Sequence, residues 1–276
     1  MRFEKEVRDQ YLTYSSLGNR VAAKLSIYAK QPVLPELCEL LGTSRITNTE
    51  SLGVVEIPVS KIVGVASICG KHSYTADFLP VESPTSQYAQ TWCSIYLSYL
   101  NEKEIVPITC YEYLGQFYVI DGKKRVSVMK CHGGSVMNAN VIRVLPSDLD
   151  SKESIQYYSF LESYKKTGLY QICLCSKYTF TDLQKAMGHD KDYQWTKQDR
   201  HFMLFTLNSV EYALKFSKLH RHGINPIDAF MFLIENFSYE TAVRMPFLQM
   251  VKYFKENKEN LLKLYDSEEK ATRKIA

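Results

Sequence analysis

Gly115-Gln116-Phe117-Tyr118-Val119-Ile120-Asp121-Gly122-Lys123-Lys124-Arg125-Val126-Ser127-Val128 sets an apolar run, an acid, a glycine and three cations in succession. Gln116 to Ile120 has the aromatic and β-branched content of a strand. Asp121-Gly122 turns the chain into a helix that runs through Met129 to about His132 and stops at Gly133-Gly134. The first turn of a helix carries unsatisfied N–H groups and the positive end of the dipole, so anions are stabilised there. Lys123, Lys124 and Arg125 are cations in that first turn, a local conflict that a bound phosphate would remove. The competing reading is a solvated basic turn paired with surface acids.

Outward from this stretch the period alternates between strand and helix. Val106 to Tyr113 and Gln116 to Ile120 form two strands joined at Leu114-Gly115, a hairpin signal. Asn140 to Leu145 is a further strand closed by Pro146, and Gly53 to Val59 is one that Pro58 confines to an edge or a last position. Ser86 to Leu100 is a helix with Trp92, Ile95, Tyr96 and Tyr99 on one face. Lys61 to Pro84 reads as irregular. Upstream, Val7 to about Ala29 is a helix whose middle Gly18 weakens, and Pro32 and Pro35 precede a short helix Glu36–Leu41 ended by Gly42.

Beyond Ser147 the pattern is mostly helical. Helix Ser151–Lys166 ends at Gly168, and Tyr170–Cys175 reads as a lone strand joining the earlier sheet. Thr179 with Asp182, and Thr196 with Asp199, have capping-box spacing. The second box opens a helix to His222 with Met203, Leu207, Val210 and Leu214 as its apolar stripe, expected to lie against the first domain or a partner subunit. Asn225-Pro226 opens another helix, and a last one runs from about Pro246 to Tyr265. The domain reading is an N-terminal helical lead over 1–50, a mixed α+β domain over 51–150 and a helical extension over 151–276.

Composition narrows the class without selecting a function. The 276 residues are 45% hydrophobic and 23% charged, as in folded proteins. No apolar run approaches the ~18 residues of a membrane helix, and the start lacks a secretory signal, so the expected location is cytoplasmic with no membrane partner. Residues 1–150 carry 15 basic and 15 acidic side chains and residues 151–276 carry 19 and 15, which gives the net +4. That excess is too small to mark a nucleic-acid binder by charge alone. Seven cysteines without framework spacing fit reduced thiols, and Cys173-x-Cys175, with no second ligand pair, fits packing better than metal. No metal ligands are assigned.

Pro107-Ile108 before a strand, then Tyr118 to Arg125, a short helix to Gly133 and a final strand resemble the ParB/sulfiredoxin superfamily over roughly Val54 to Pro146. The resemblance is closest to bacterial ParB N-terminal-domain-like proteins with a Gly-Asn-Lys-Arg-Val-Ser-Val stretch. It implies a ParB/sulfiredoxin-like mixed sheet with a Gly-x-x-Arg turn that binds nucleotide phosphate. On that basis Gly122, Lys123, Lys124 and Arg125 are the expected phosphate contacts, and Arg125 is the clamp. Gly70-Lys71-His72-Ser73 matches a second phosphate-contacting segment, although alone it reads as a solvated loop. Asp121 is the candidate catalytic carboxylate, as a magnesium ligand or a base towards a hydroxyl; its other reading is a turn or cap residue.

The departures are specific. Lys123 stands where sulfiredoxins carry their reactive cysteine, which removes sulfinic-acid reduction. Partition proteins read Gly-Glu-Arg-Arg here, and Gly122-Lys123-Lys124-Arg125 lacks that glutamate, so CTP hydrolysis does not follow; free-serine kinases read Asp-Gly-His-His-Arg, with which Asp121, Gly122 and Arg125 agree while both histidines are lysines. The expectation is a nucleotide-binding module taking a nucleoside triphosphate with magnesium. The alternatives are an NTPase, kinase-like phosphotransferase or nuclease using Asp121, and a DNA-binding partition-like protein. A homodimer stays open. The run Lys215, Lys218, His220, Arg221, His222 reads as cations complementing a helix C-terminus rather than as DNA contacts.

Overall fold

The computed structural model describes residues 2–27, 34–42, 46, 48–67, 73–103, 105–174 and 176–266. The chain divides into two compact units, Met1–Ser151 and Lys152–Ala276.

Among the described residues the first unit is built on five strands: β1 (Thr49–Pro58), β2 (Ile62–Val65), β3 (Ile108–Tyr113), β4 (Gln116–Asp121) and β5 (Val136–Val144). Their order across the mixed sheet is β1-β5-β3-β4-β2. β3 and β4 are the hairpin, turned by Leu114 and Gly115 with φ of 50° and 74°, the positive pair that a two-residue turn of matching twist needs. β5 then returns parallel to β3, and β1 pairs antiparallel to β5. Along β5, Met137, Ala139 and Val141 are buried between exposed Val136, Asn138 and Asn140, so one face carries the core. β1 is an edge strand and ends at Pro58, as a ladder without that N–H donor requires. The stretch expected to be irregular contributes β2, a short edge strand parallel to β4; four residues, bounded by a 3-10 turn, are too few for a period to show.

Among the described residues four helices complete this unit: α1 (Arg2–Ile27), α2 (Leu37–Leu41), α3 (Gln87–Leu100) and α4 (Lys123–His132). α1 packs on α3 and α3 on α4. Val7, Tyr11, Trp92, Tyr96 and Val128 form their shared core, with the Tyr11 and Trp92 rings edge-on at 5.3 Å. The buried Trp92 indole donates to Ser127 Oγ at 3.0 Å, which ties α3 to α4. Gly18 does not break α1. A Cβ there would stand 2.3 Å from the Pro80 carbonyl oxygen, so the glycine permits close approach of a loop to the helix.

The second unit is helical: α5 (Lys152–Thr167), α6 (Phe180–Ala186), α7 (Lys197–Phe216), α8 (Pro226–Phe237), α9 (Tyr239–Arg244), α10 (Phe247–Glu256) and α11 (Lys258–Asp266). Both capping boxes form, and Asn225 caps α8 with Pro226 in its first turn. α8 is the central helix, with Ile227, Ala229, Phe230, Met231 and Leu233 all buried.

Four sequence expectations change here. Residues 170–174 form no strand: the Ile172 carbonyl accepts from Ser163 Oγ at 3.1 Å and the Cys173 carbonyl from Asn225 Nδ2 at 2.6 Å, so side chains take the bonds a sheet would have offered. Cys175 lies outside the described residues. Met203, Leu207, Val210 and Leu214 are buried, but their cover is the core of their own unit, shared with α8 and α10. α7 ends at Phe216, and Lys218 with φ of 63° starts a 3-10 turn Leu219–His222, so Lys215, Lys218 and Arg221 do not share one helical face. The last helix is likewise two, α10 and α11, parted at Asn257. Among the described residues no helix is long and apolar enough to cross a membrane.

Candidate functional site

β4 delivers Asp121 to the edge of the sheet, and Gly122 turns the chain into α4 with φ of 99°. Only glycine fits. Besides the positive φ, a Cβ at Gly122 would meet Ile108 Cγ2 at 2.6 Å and Arg125 Nε at 2.9 Å. No side chain caps the first turn of α4 and no acid lies within it, while Lys123 and Lys124 do. The helix closes at Gly133, again in the left-handed region.

Arg125 has other partners than the phosphate expected of it. Its Nη1 donates to the Val106 and Pro107 carbonyls, both at 2.8 Å, and its Nη2 to Asp121 Oδ2 at 2.6 Å. The Arg125 side chain is 16% exposed and that of Asp121 is 77% exposed. Three of the five guanidinium donors are therefore engaged within the fold. Arg125 braces the α4 turn to the segment leading into β3, and Gly122 is the gap its guanidinium lies across. The exposed clamp anticipated from Gly-x-x-Arg is not its resting arrangement.

The α4 turn opens on a cleft of about 470 Å3 lined by Ser73, Tyr74, Tyr88, Ile95 and Ile120 together with Asp121 to Arg125. Lys124 Nζ sits 5.2 Å above the Tyr88 ring, which meets Tyr74 edge-on at 5.4 Å. Burial pushes the Tyr74 hydroxyl up to about 12 and the Tyr88 hydroxyl up as well, so both are neutral at pH 7. Ser73 Oγ donates to Glu82 Oε1 at 2.7 Å on the cleft wall. Gly70, Lys71 and His72 lie outside the described residues. Thus Ser73, Asp121, Gly122, Lys123, Lys124 and Arg125 gather at one cleft.

The sequence reading missed the two tyrosines. Tyr74 comes from an irregular segment without a period, and Tyr88 continues the apolar face of α3 one turn before Trp92, so by spacing it reads as one more core residue. Lys130, one face along α4, lies 5.1 Å over the Phe78 ring, and burial lowers its pKa despite Asp77 nearby. Glu112 is buried at the hairpin end of β3, away from Gly122 and paired to Arg143. A larger cavity of about 550 Å3 lies between Tyr99, Met129 and Met137, and none of the expected site residues lines it.

Metal and thiol chemistry find little here. Among the described residues no group of three or more His, Cys, Asp or Glu gathers to hold a metal ion. Among the described residues Asp121 is the one carboxylate lining the cleft, too few oxygen ligands for the protein alone to hold magnesium. Burial pushes the Cys110 and Cys131 thiols up to about 12, the opposite of a reactive cysteine. Lys215 in the C-terminal basic run is paired to Glu211 at 2.6 Å.

No protein-family model matches this chain, and no curated protein matches it.

Proposed function

We propose that the first unit binds a phosphate-bearing ligand, a nucleoside phosphate, at the start of α4. The observation that carries this reading is the uncapped first turn, with Lys123 and Lys124 in it and no acid, opening on a cleft of about 470 Å3. Helix dipole, backbone N–H groups and two ammonium groups favour an anion at one point. Tyr74 and Tyr88 give the cleft an aromatic wall suited to a base. The order β3, β4, Gly122, α4, β5 supports a ParB/sulfiredoxin-like fold for this unit, and Gly122-x-x-Arg125 agrees with its phosphate turn. Within this proposal Lys123 and Lys124 supply the charge, and Arg125 holds the turn in shape. Magnesium, when present, would neutralise phosphate charge. Asp121 is the carboxylate placed to meet it.

Thermal unfolding against a panel of nucleoside mono-, di- and triphosphates, with and without magnesium, tests this. A ligand at a hundred times its Kd adds about 2.7 kcal/mol to stability, and Lys123→Gln/Lys124→Gln should remove most of that gain. No shift with any nucleotide or with inorganic phosphate would end the proposal. Turnover of the stabilising nucleotide, lost in Asp121→Asn, would extend it to an enzyme. Retention on DNA that weakens steeply with salt would favour the partition-like alternative.

A further inference from the structure

α7 carries a second apolar stripe besides the one in the core. Phe202, Phe205, Tyr212 and Phe216 are 45%, 72%, 59% and 67% exposed. With Ser209 between them they recur at steps of three and four, so they share one face of the helix. The Phe216 ring meets Phe247 of α10 edge-on at 5.4 Å, and Leu248 beside it is 79% exposed. An aromatic patch of this extent on a rigid helix marks a contact surface. The core stripe explains why α7 is rigid: Met203, Leu207, Val210 and Leu214 hold its other side.

The spacing is symmetric about Ser209. Phe202 and Phe216 lie seven residues to either side, and Phe205 and Tyr212 lie four and three. We propose that the α7 stripe is the two-fold interface of a homodimer, with two α7 helices antiparallel and crossing at Ser209. A two-fold contact needs a self-complementary patch, and this arrangement sets Phe205 against Tyr212 of the partner subunit and Phe202 against Phe216 of the partner subunit. The serine at the crossing is small enough for close approach of the helices. Heptad-like steps of three and four are those of paired helices. Taking about 200 Å2 for a fully exposed aromatic residue, the six residues offer on the order of 700 Å2 per copy, near the ~800 Å2 per partner of a stable interface. Lys215 beside the stripe is offset by its own Glu211, so the pairing sets no bare ammonium against its like.

Sedimentation velocity on the full chain across the micromolar range should give twice the 31.9 kDa of one chain. Phe205→Glu should shift it to the monomer, with an unchanged far-ultraviolet circular-dichroism spectrum because the side chain is exposed and takes no part in the core. The double variant Phe205→Glu/Tyr212→Lys should restore the dimer, since an antiparallel pair sets each new carboxylate against a new ammonium. Ser209→Cys should cross-link on oxidation under conditions in which the wild type does not. A monomeric wild type overturns the proposal, and co-sedimentation of that monomer with phosphatidylserine vesicles would reassign the stripe to lipid. A dimer that survives Phe205→Glu, or a double variant that stays monomeric, also overturns it.

Discussion

Arg143 on β5 donates from Nε to Glu112 Oε2 on β3 at 2.6 Å, across the parallel register that pairs the two residues. Glu112 is fully buried and Arg143 is 4% exposed, and the second Glu112 oxygen accepts from the Gly115 N–H at 2.8 Å. One carboxylate thus joins strand β5 to the hairpin turn. Arg143 also reaches the exposed Glu50 carboxylate at 3.4 Å, a partner that remains when Glu112 is neutralised, so Glu112→Gln should cost about 2–3 kcal/mol. Replacing both, as Glu112→Leu/Arg143→Met, should cost less than the single change. Urea unfolding of both variants checks this, and a Glu112→Gln protein within 1 kcal/mol (about a fivefold change in equilibrium) of wild type would contradict it.

Arg125→Ala should destabilise the protein without any ligand, by about 2 kcal/mol, because it removes hydrogen bonds to a carboxylate and two carbonyls. Gly122→Ala should do the same through its φ of 99° and the contact with Ile108. Melting temperatures of the free proteins decide the point. An unchanged melt for Arg125→Ala would return the arginine to the role of a free anion clamp.

The thiols should divide by burial. Cys38 is exposed, whereas Cys110 and Cys131 are pushed up to about 12, mainly by burial. Iodoacetamide at pH 8 should label Cys38 first in the native protein, half-buried Cys131 far more slowly, and buried Cys110 only after denaturation. Peptide mapping by mass spectrometry reads this directly, and rapid native labelling of Cys131 would speak for a redox role.

Thr196 and Asp199 give the second unit a pH signature. Burial raises the Asp199 pKa, but hydrogen bonds from Thr196 and from Tyr193 outweigh it, and the net pKa lies below the usual carboxylate value. A depressed folded pKa contributes stability that is present above the unfolded pKa and is lost as pH falls through the folded one. Thr196→Ala should therefore cost about 1 kcal/mol at neutral pH, and its gap to wild type should shrink below pH ~4. A gap that stays constant from pH 7 to pH 3 (roughly the span over which carboxylates protonate) would deny Asp199 that role.

Elements with local chemistry were legible in the sequence. The Leu114-Gly115 hairpin, both capping boxes, the Asn225-Pro226 start and the Asp121-Gly122 junction each follow from a few adjacent residues. Features set by distant partners were not. Gly18 reads as a helix weakness until Pro80 is seen against it. Arg125 reads as a free cation until the Val106 and Pro107 carbonyls are in place. α7 hides its outer stripe because Phe202 and Phe205 sit next to core residues Met203 and Thr206, and the run looks like one broad apolar face. At the site itself, the cations and glycine were visible in sequence and the tyrosine wall was not.

The close approach at Gly18 also fixes how α1 meets the cleft. With the Pro80 carbonyl against that glycine, the Tyr11 hydroxyl donates to the Glu82 carbonyl at 2.9 Å, and the Glu82 carboxylate accepts from Ser73 at 2.7 Å. α1 is keyed to its loop: a slide by one residue would drive a side chain into Pro80. The first helix thereby works as a tie rod behind one wall of the cleft, in series with Glu82 and Ser73. A chain shortened past residue 27 would keep every strand of the sheet, and Glu82, the partner that holds Ser73 at the rim, would lose its own tie to Tyr11.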